Sequence, residues 1–182
     1  MATEFHPDGK RFAVASGEGN LEFLATIAAL SVDQGASRTV GTAMGMVTDL
    51  AFSPDRERLA AAIHLNLLGS MAQKQKDDNP DLCVGFVKVW RFADGEELLT
   101  IDFRISDLQA KIEAILASRT ETESDSENGD ALMKLYDESS RERMPKSLGF
   151  SPDGQRLTVI SMAETSALFD ATSGTEIPPS AP

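Results

Sequence analysis

Two histidines, His6 and His64, and one cysteine, Cys83, are the side chains best suited to chemistry. Their number and spacing assemble no site. A zinc centre needs about four Cys, His or carboxylate ligands at close spacing, and one Cys with two scattered His cannot supply them. His6 stands in a Pro-Asp-Gly turn and reads as a turn residue. His64 ends an apolar run and reads as an exposed strand end. No Gly-x-Ser-x-Gly elbow occurs, and a Ser/His/Asp triad has no support. Gly17-Glu18-Gly19 lacks the third glycine and the following helix of a dinucleotide loop, so a hairpin turn explains it better. The run Asp125-Ser126-Glu127-Asn128-Gly129-Asp130 resembles a calcium loop only in its carboxylates. It lacks the alternating ligands and the closing bidentate Glu. Its composition is that of solvated, disordered chain, in which Ser124 and Ser126 precede acids and could accept phosphate. The expectation is therefore no catalytic residue, no cofactor and no metal.

Composition points the same way. Of 182 residues, 41% are hydrophobic and 25% charged, which suits a globular domain. The net charge of −12 disfavours nucleic acid and anionic lipid as partners. The single Cys83 excludes an internal disulfide and fits a reducing compartment. The first residues carry neither a basic nor an apolar leader segment. The longest apolar run, Leu21 to Val32, includes Glu22 and falls short of the roughly 20 residues that span a bilayer. A cytoplasmic protein with protein partners is expected. Trp90, Phe86, Phe52 and Phe150 lie at strand spacing and read as core rather than as a binding face.

The elements that must position these residues are organised by one stretch that occurs three times. It reads Phe5-His6-Pro7-Asp8-Gly9-Lys10-Arg11-Phe12, then Phe52-Ser53-Pro54-Asp55-Arg56-Glu57-Arg58-Leu59, then Phe150-Ser151-Pro152-Asp153-Gly154-Gln155-Arg156-Leu157. Proline presets φ for the turn, aspartate bonds its own backbone, and glycine supplies the positive φ that closes the hairpin. Arg56 replaces that glycine in the second copy, so a different turn type is expected there. Three copies, each followed by an apolar run, imply a repeated β unit.

The unit resembles the WD repeat of β-propellers, in which strand a ends in Phe-Ser-Pro-Asp-Gly and strand c ends in Trp-Asp. Here strand c reads Phe86-Val87-Lys88-Val89-Trp90-Arg91 in the second unit and Ser166-Ala167-Leu168-Phe169-Asp170 in the third. The Gly-His pair of the family is absent, with Gly41-Thr42 near its place. The buried His–Ser/Thr–Trp network of the family therefore cannot form, and apolar packing and turns must hold the blades. The resemblance implies an all-β fold of antiparallel four-stranded blades, a partial propeller with a helical insertion. It also implies a non-catalytic protein–protein interaction scaffold. The alternative is the propeller portion of a larger enzyme, a peptidase or multidomain kinase with no chemistry in this chain, or a decayed fragment.

The partial propeller is placed at residues 1–177, with units at about 1–45, 46–103 and 146–177. A polar loop insertion covers 64–85, and a second, helical and acidic, covers 104–145. In the latter, Leu108, Ile112, Ile115 and Leu116 recur on one helical face after the Ser106-Asp107 cap signal. Leu132, Leu135 and Tyr136 mark a second short helix. Leu21 to Val32 suits either a strand or a short helix. Residues 178–182 form a Pro-rich tail. Propellers close with about four to eight blades, so three units read as a piece of a longer ring, with self-association through open edges as another outcome.

Overall fold

A computed structural model describes residues 1–17, 24–32, 35–74, 81–106, 108–117 and 125–179. Each Pro-Asp stretch folds as the turn of a hairpin. It joins β1 (Ala2–Phe5) to β2 (Arg11–Gly17), β5 (Met46–Phe52) to β6 (Arg58–His64), and β9 (Pro145–Phe150) to β10 (Arg156–Ser161). The turns share one hydrogen-bond pattern. Gly9 N–H donates to His6 O at 2.9 Å, Arg56 N–H to Ser53 O at 2.9 Å, and Gly154 N–H to Ser151 O at 2.8 Å. The aspartate in each accepts from the backbone two residues on, at Lys10, Glu57 and Gln155.

Arg56 does not change the turn type. Its φ of 69° matches the 70° of Gly9 and of Gly154, so the expectation of another turn is corrected. A side chain in the left-handed region costs about 1 kcal/mol or more. Arg56→Gly should therefore stabilise the protein in urea unfolding, by less than about 1 kcal/mol once glycine's greater unfolded-state entropy is subtracted.

From each hairpin the chain meanders on. The first sheet adds β3 (Leu24–Ser31) and β4 (Ser37–Met44), in the order β1-β2-β3-β4. Leu24 to Ser31 is a strand, not a helix, because Ala25, Ile27 and Ala29 are buried at period two. The second sheet is β5-β6-β7-β8, with β7 (Leu82–Arg91) and β8 (Glu97–Ile105). The third is β12-β11-β10-β9, with β11 (Ser166–Asp170) and β12 (Glu176–Ile177). All pairings are antiparallel.

Among the described residues three helices lie between strands: α1 (Leu67–Lys74), α2 (Leu108–Ala117) and α3 (Asp125–Ser140). The stretch 64–85, expected as a polar loop, thus carries a helix and the first residues of β7. Asn66 starts α1 by accepting the Gly69 N–H at 2.8 Å. Residues 125–130, read from composition as disordered, form the first turns of α3, while 118–124 lie outside the described residues. The Pro-rich tail is described only to residue 179.

The sheets stack face to face as blades. Strand β5 packs against the first blade, and β9 packs against β5, β6 and β7. One apolar cluster fills the space between blades one and two, around Ile27, Val40, Leu50, Leu59, Ile63 and Trp90. A second lies between blade two, blade three and the helices, around Val87, Val89, Phe103, Leu157 and Phe169. Blade two is covered on both faces, which is why Leu59 to Ile63 is a continuous apolar run at 0% exposure. Trp90, 2% exposed, reaches across to the first blade, where a Cβ at Gly41 would sit 2.5 Å from its ring.

Candidate interaction site

Among the described residues no group of three or more His, Cys, Asp or Glu is placed to hold a metal ion. Cys83 is buried outside any disulfide, its thiol donating to Gly85 O at 3.3 Å. Gly17 ends β2, and Glu18 and Gly19 lie outside the described residues, as does Ser124. Trp90, Phe86 and Phe52 are core residues, as expected from their spacing. Phe150 is half-buried beneath a guanidinium.

The polar side chains of interest lie at the joints between blades. At the first joint His6 is 2% exposed and more than a turn residue. Its ring stacks on Phe92 with centroids 5.1 Å apart and meets Phe52 edge-on at 4.8 Å. Nδ1 accepts from the Asp8 N–H at 3.2 Å, and Nε2 lies 3.3 Å from Arg56 O of the second blade. Arg11 sits 5.0 Å over the Phe92 ring, and Arg38 donates to Phe92 O. At the second joint Arg58, first residue of β6, donates to Gly154 O at 2.7 Å and Ala171 O at 3.5 Å. Its guanidinium lies 5.1 Å over the Phe150 ring. Asp49 accepts the Leu148 N–H at 2.9 Å, and Thr48 donates to Pro145 O at 3.2 Å. Blade joints are therefore not held by apolar packing and turns alone, as expected, but also by cations on carbonyls and rings. The repeated arginine after each turn was the sequence signal for this.

The turn aspartates share an electrostatic signature. Asp8 is held well below the usual carboxylate range, chiefly by the Lys10 N–H and also by Arg11 and His6. The Ser53 hydroxyl lowers Asp55, and the Ser151 hydroxyl lowers Asp153. All three are thus anionic acceptors that hold their turns near neutral pH.

His64 is not the exposed strand end that was expected. It is half-buried, and its Nδ1 is buried without a hydrogen-bond partner. It lines a cavity of about 150 Å³ with Gly45, Met46, Leu65, Asn66 and Gly69. Burial lowers its pKa below the ordinary 6.5. The unfolded chain therefore takes up the proton first as the pH falls. Stability is full above 6.5 and declines as the pH drops through 6.5 towards the folded value. Urea midpoints measured from about pH 7.5 to about pH 5 should fall, and His64→Leu should flatten that decline.

The two insertions meet in space. Leu108 and Ile112 of α2 are buried, and the side chains of Ile115 and Leu116, expected on the same face, lie outside what is described. Tyr136 of α3 is 4% exposed. Its hydroxyl donates to Leu65 O beside α1 and lies 2.9 Å from Ser70 Oγ. Burial pushes the phenol up to about 12, so it remains a donor. The helices thus form one layer beside the start of β7, with Leu68 of α1 and Met133 of α3 exposed at 62% and 53%. Composition alone gave Tyr136 no special weight.

These features define an all-β protein of antiparallel four-stranded blades, stacked as in a β-propeller and carrying a helical insertion. The fold is similar to a chain in the crystal structure of the nidogen/laminin complex, with a TM-score of 0.53 at 8% identity, over 97% of this chain and 45% of that one. The chain thus spans less than half the length of that neighbour. No protein-family model matches the sequence, and no curated protein matches it.

Proposed function

We propose that the chain is a non-catalytic interaction scaffold built from WD-like repeats, which binds a protein partner through its helical layer. The observation that carries this reading is the convergence of insertions 64–85 and 104–145 on one side of blade two. There Tyr136 fixes them, and they leave Leu68 and Met133 exposed. Apolar side chains on the outside of an ordered layer are the kind of feature a partner covers. Acidic neighbours Asp130, Asp137 and Glu138 on α3 give that surface a polar rim. The net charge of −12 favours a protein over nucleic acid or a membrane. A reducing, cytoplasmic setting fits the buried thiol of Cys83. The structural neighbour comes from a complex of two proteins, which supports a binding role in general terms.

The test places a photo-crosslinking residue at position 133 of the full chain in extracts of cells that express it. One discrete adduct is expected, lost in Leu68→Glu while circular dichroism is unchanged. No adduct from position 133, or one indifferent to Leu68→Glu, would overturn the helical layer as the docking surface.

A further inference from the structure

The second blade joint sets a plan, in which Arg58 donates to Gly154 O and Ala171 O and lies over the Phe150 ring. In the first joint several side chains share the same positions: His6 on Arg56 O and Phe52, Arg38 on Phe92 O, and Arg11 over the Phe92 ring. The chain also carries both halves of a joint that it does not make with itself. On the donor side stands the first residue of each second strand: Arg11, Arg58 and Arg156. On the acceptor side stand the turn residue with positive φ, the aromatic ring before the turn, and the residue just after strand c. For blade two these are Arg56, Phe52 and Phe92, and for blade three Gly154, Phe150 and Ala171. Backbone bonds fix the last correspondence: Phe92 N–H donates to Glu57 O, Ala171 N–H to Gln155 O, and Val32 N–H to Lys10 O. Blade one therefore offers Gly9, Phe5 and Val32.

In the made joints most of the acceptor side is covered, although Arg56 is exposed and Phe150 is half-buried. Phe52, Phe92 and Ala171 are 9%, 2% and 3% exposed. Gly154 is buried, with an Arg58 nitrogen 3.0 Å from where its Cβ would be. In blade one the same positions are bare. Phe5 is 67% exposed and Val32 55%, and nothing lies within 4 Å of a Cβ at Gly9. The donor side of blade three is equally bare. Arg156 is exposed, and among the described residues its guanidinium makes no hydrogen bond or ion pair.

We propose that the free face of blade three docks on the free face of blade one of a second copy. Arg156 would then take the place on Gly9 O, Val32 O and the Phe5 ring that Arg58 takes on Gly154 O, Ala171 O and the Phe150 ring. A two-fold pair makes this joint twice, since each copy gives one face and receives the other. Two copies bring six blades together, inside the roughly four to eight over which propellers close. The pairing goes beyond the scaffold reading and does not use the helical layer, so either can fail without the other.

The full chain is measured by light scattering over a concentration series in about 0.15 M salt, where like charge is screened beyond about 8 Å. Wild type, Arg156→Glu and Phe5→Ala are compared, with thermal unfolding as a check on the fold, since both side chains are exposed. A closed dimer is expected. Arg156→Glu should weaken it by about a hundredfold or more, since each of two joints loses a charged hydrogen bond worth about tenfold. Phe5→Ala should weaken it in the same direction. A monomer at every concentration would give the two faces to blades of a longer polypeptide and overturn the pairing. So would open-ended oligomers, or an association that both substitutions leave intact.

Discussion

Trp90→Ala is expected to lower the free energy of unfolding by about 3–5 kcal/mol, the range for emptying a buried large aromatic site. Trp90 is the largest fully buried side chain, at 2% exposure. It leaves β7 towards the first blade and fills the space over Gly41, whose missing Cβ would otherwise stand 2.5 Å from Cε2 and 2.6 Å from Nε1. Truncation leaves a cavity between two stacked sheets. Neither sheet can close it without shifting its own strand ladder, so collapse is limited. Urea unfolding followed by far-UV circular dichroism measures the loss, since this tryptophan is the chain's only one and its fluorescence vanishes with it. A loss under about 1 kcal/mol would mean that blade one does not bear on blade two through this ring.

Gly85→Ala should be nearly as costly, by about 3 kcal/mol from overpacking, for the opposite reason. A Cβ there would lie 2.5 Å from Ile63 O on β6 and 2.5 Å from Cδ of Pro145 on β9. One neighbour is backbone and the other a proline ring at the start of a strand, so neither can swing aside. The register of β7 against β8 already shifts between Cys83 and Gly85, which marks an irregular step that a side chain would have to distort further. The damage should spread to blade three, because Pro145 begins the strand that docks on blade two. Hydrogen exchange would show it as lost protection at Leu148 and Val159 before loss at Val14 or Ile27. Equal protection throughout, with unchanged stability, would contradict the close approach of β9 to this glycine.

Much of the fold was readable because its turns are local. Proline, aspartate and glycine or arginine at fixed offsets encode the a–b hairpin within eight residues, and the strands follow from the apolar runs beside them. Leu21 to Val32 was ambiguous because its alanines suit a helix as well as a half-buried strand. The pairing of Ile27 with both Ala15 and Gly41 decided it, and that partnership is not local. The early acidic residues of α3 looked unstructured by composition. Leu132, Leu135 and Tyr136, which pack downstream, extend the helix back over them. His6 read only as a turn residue because Phe52 and Phe92, which enclose it, come from another blade. His64 read as exposed for a similar reason: Gly45, Leu65 and Gly69 surround it only after β5 and α1 are in place. The joint arginines stood in plain sight within the repeat, but the sequence shows neither the carbonyls nor the rings that receive them.

The stacking of successive four-stranded blades is the claim on which the rest depends, and one proton–proton measurement reaches it directly. In the NMR spectrum of the full chain, the Trp90 indole protons should show nuclear Overhauser contacts to the Hα protons of Gly41, and the indole N–H should exchange slowly with solvent. Those contacts join β7 of the second sheet to β4 of the first, and no packing within one sheet can produce them. Their absence, together with a fast-exchanging indole N–H, would contradict the stacked-blade arrangement.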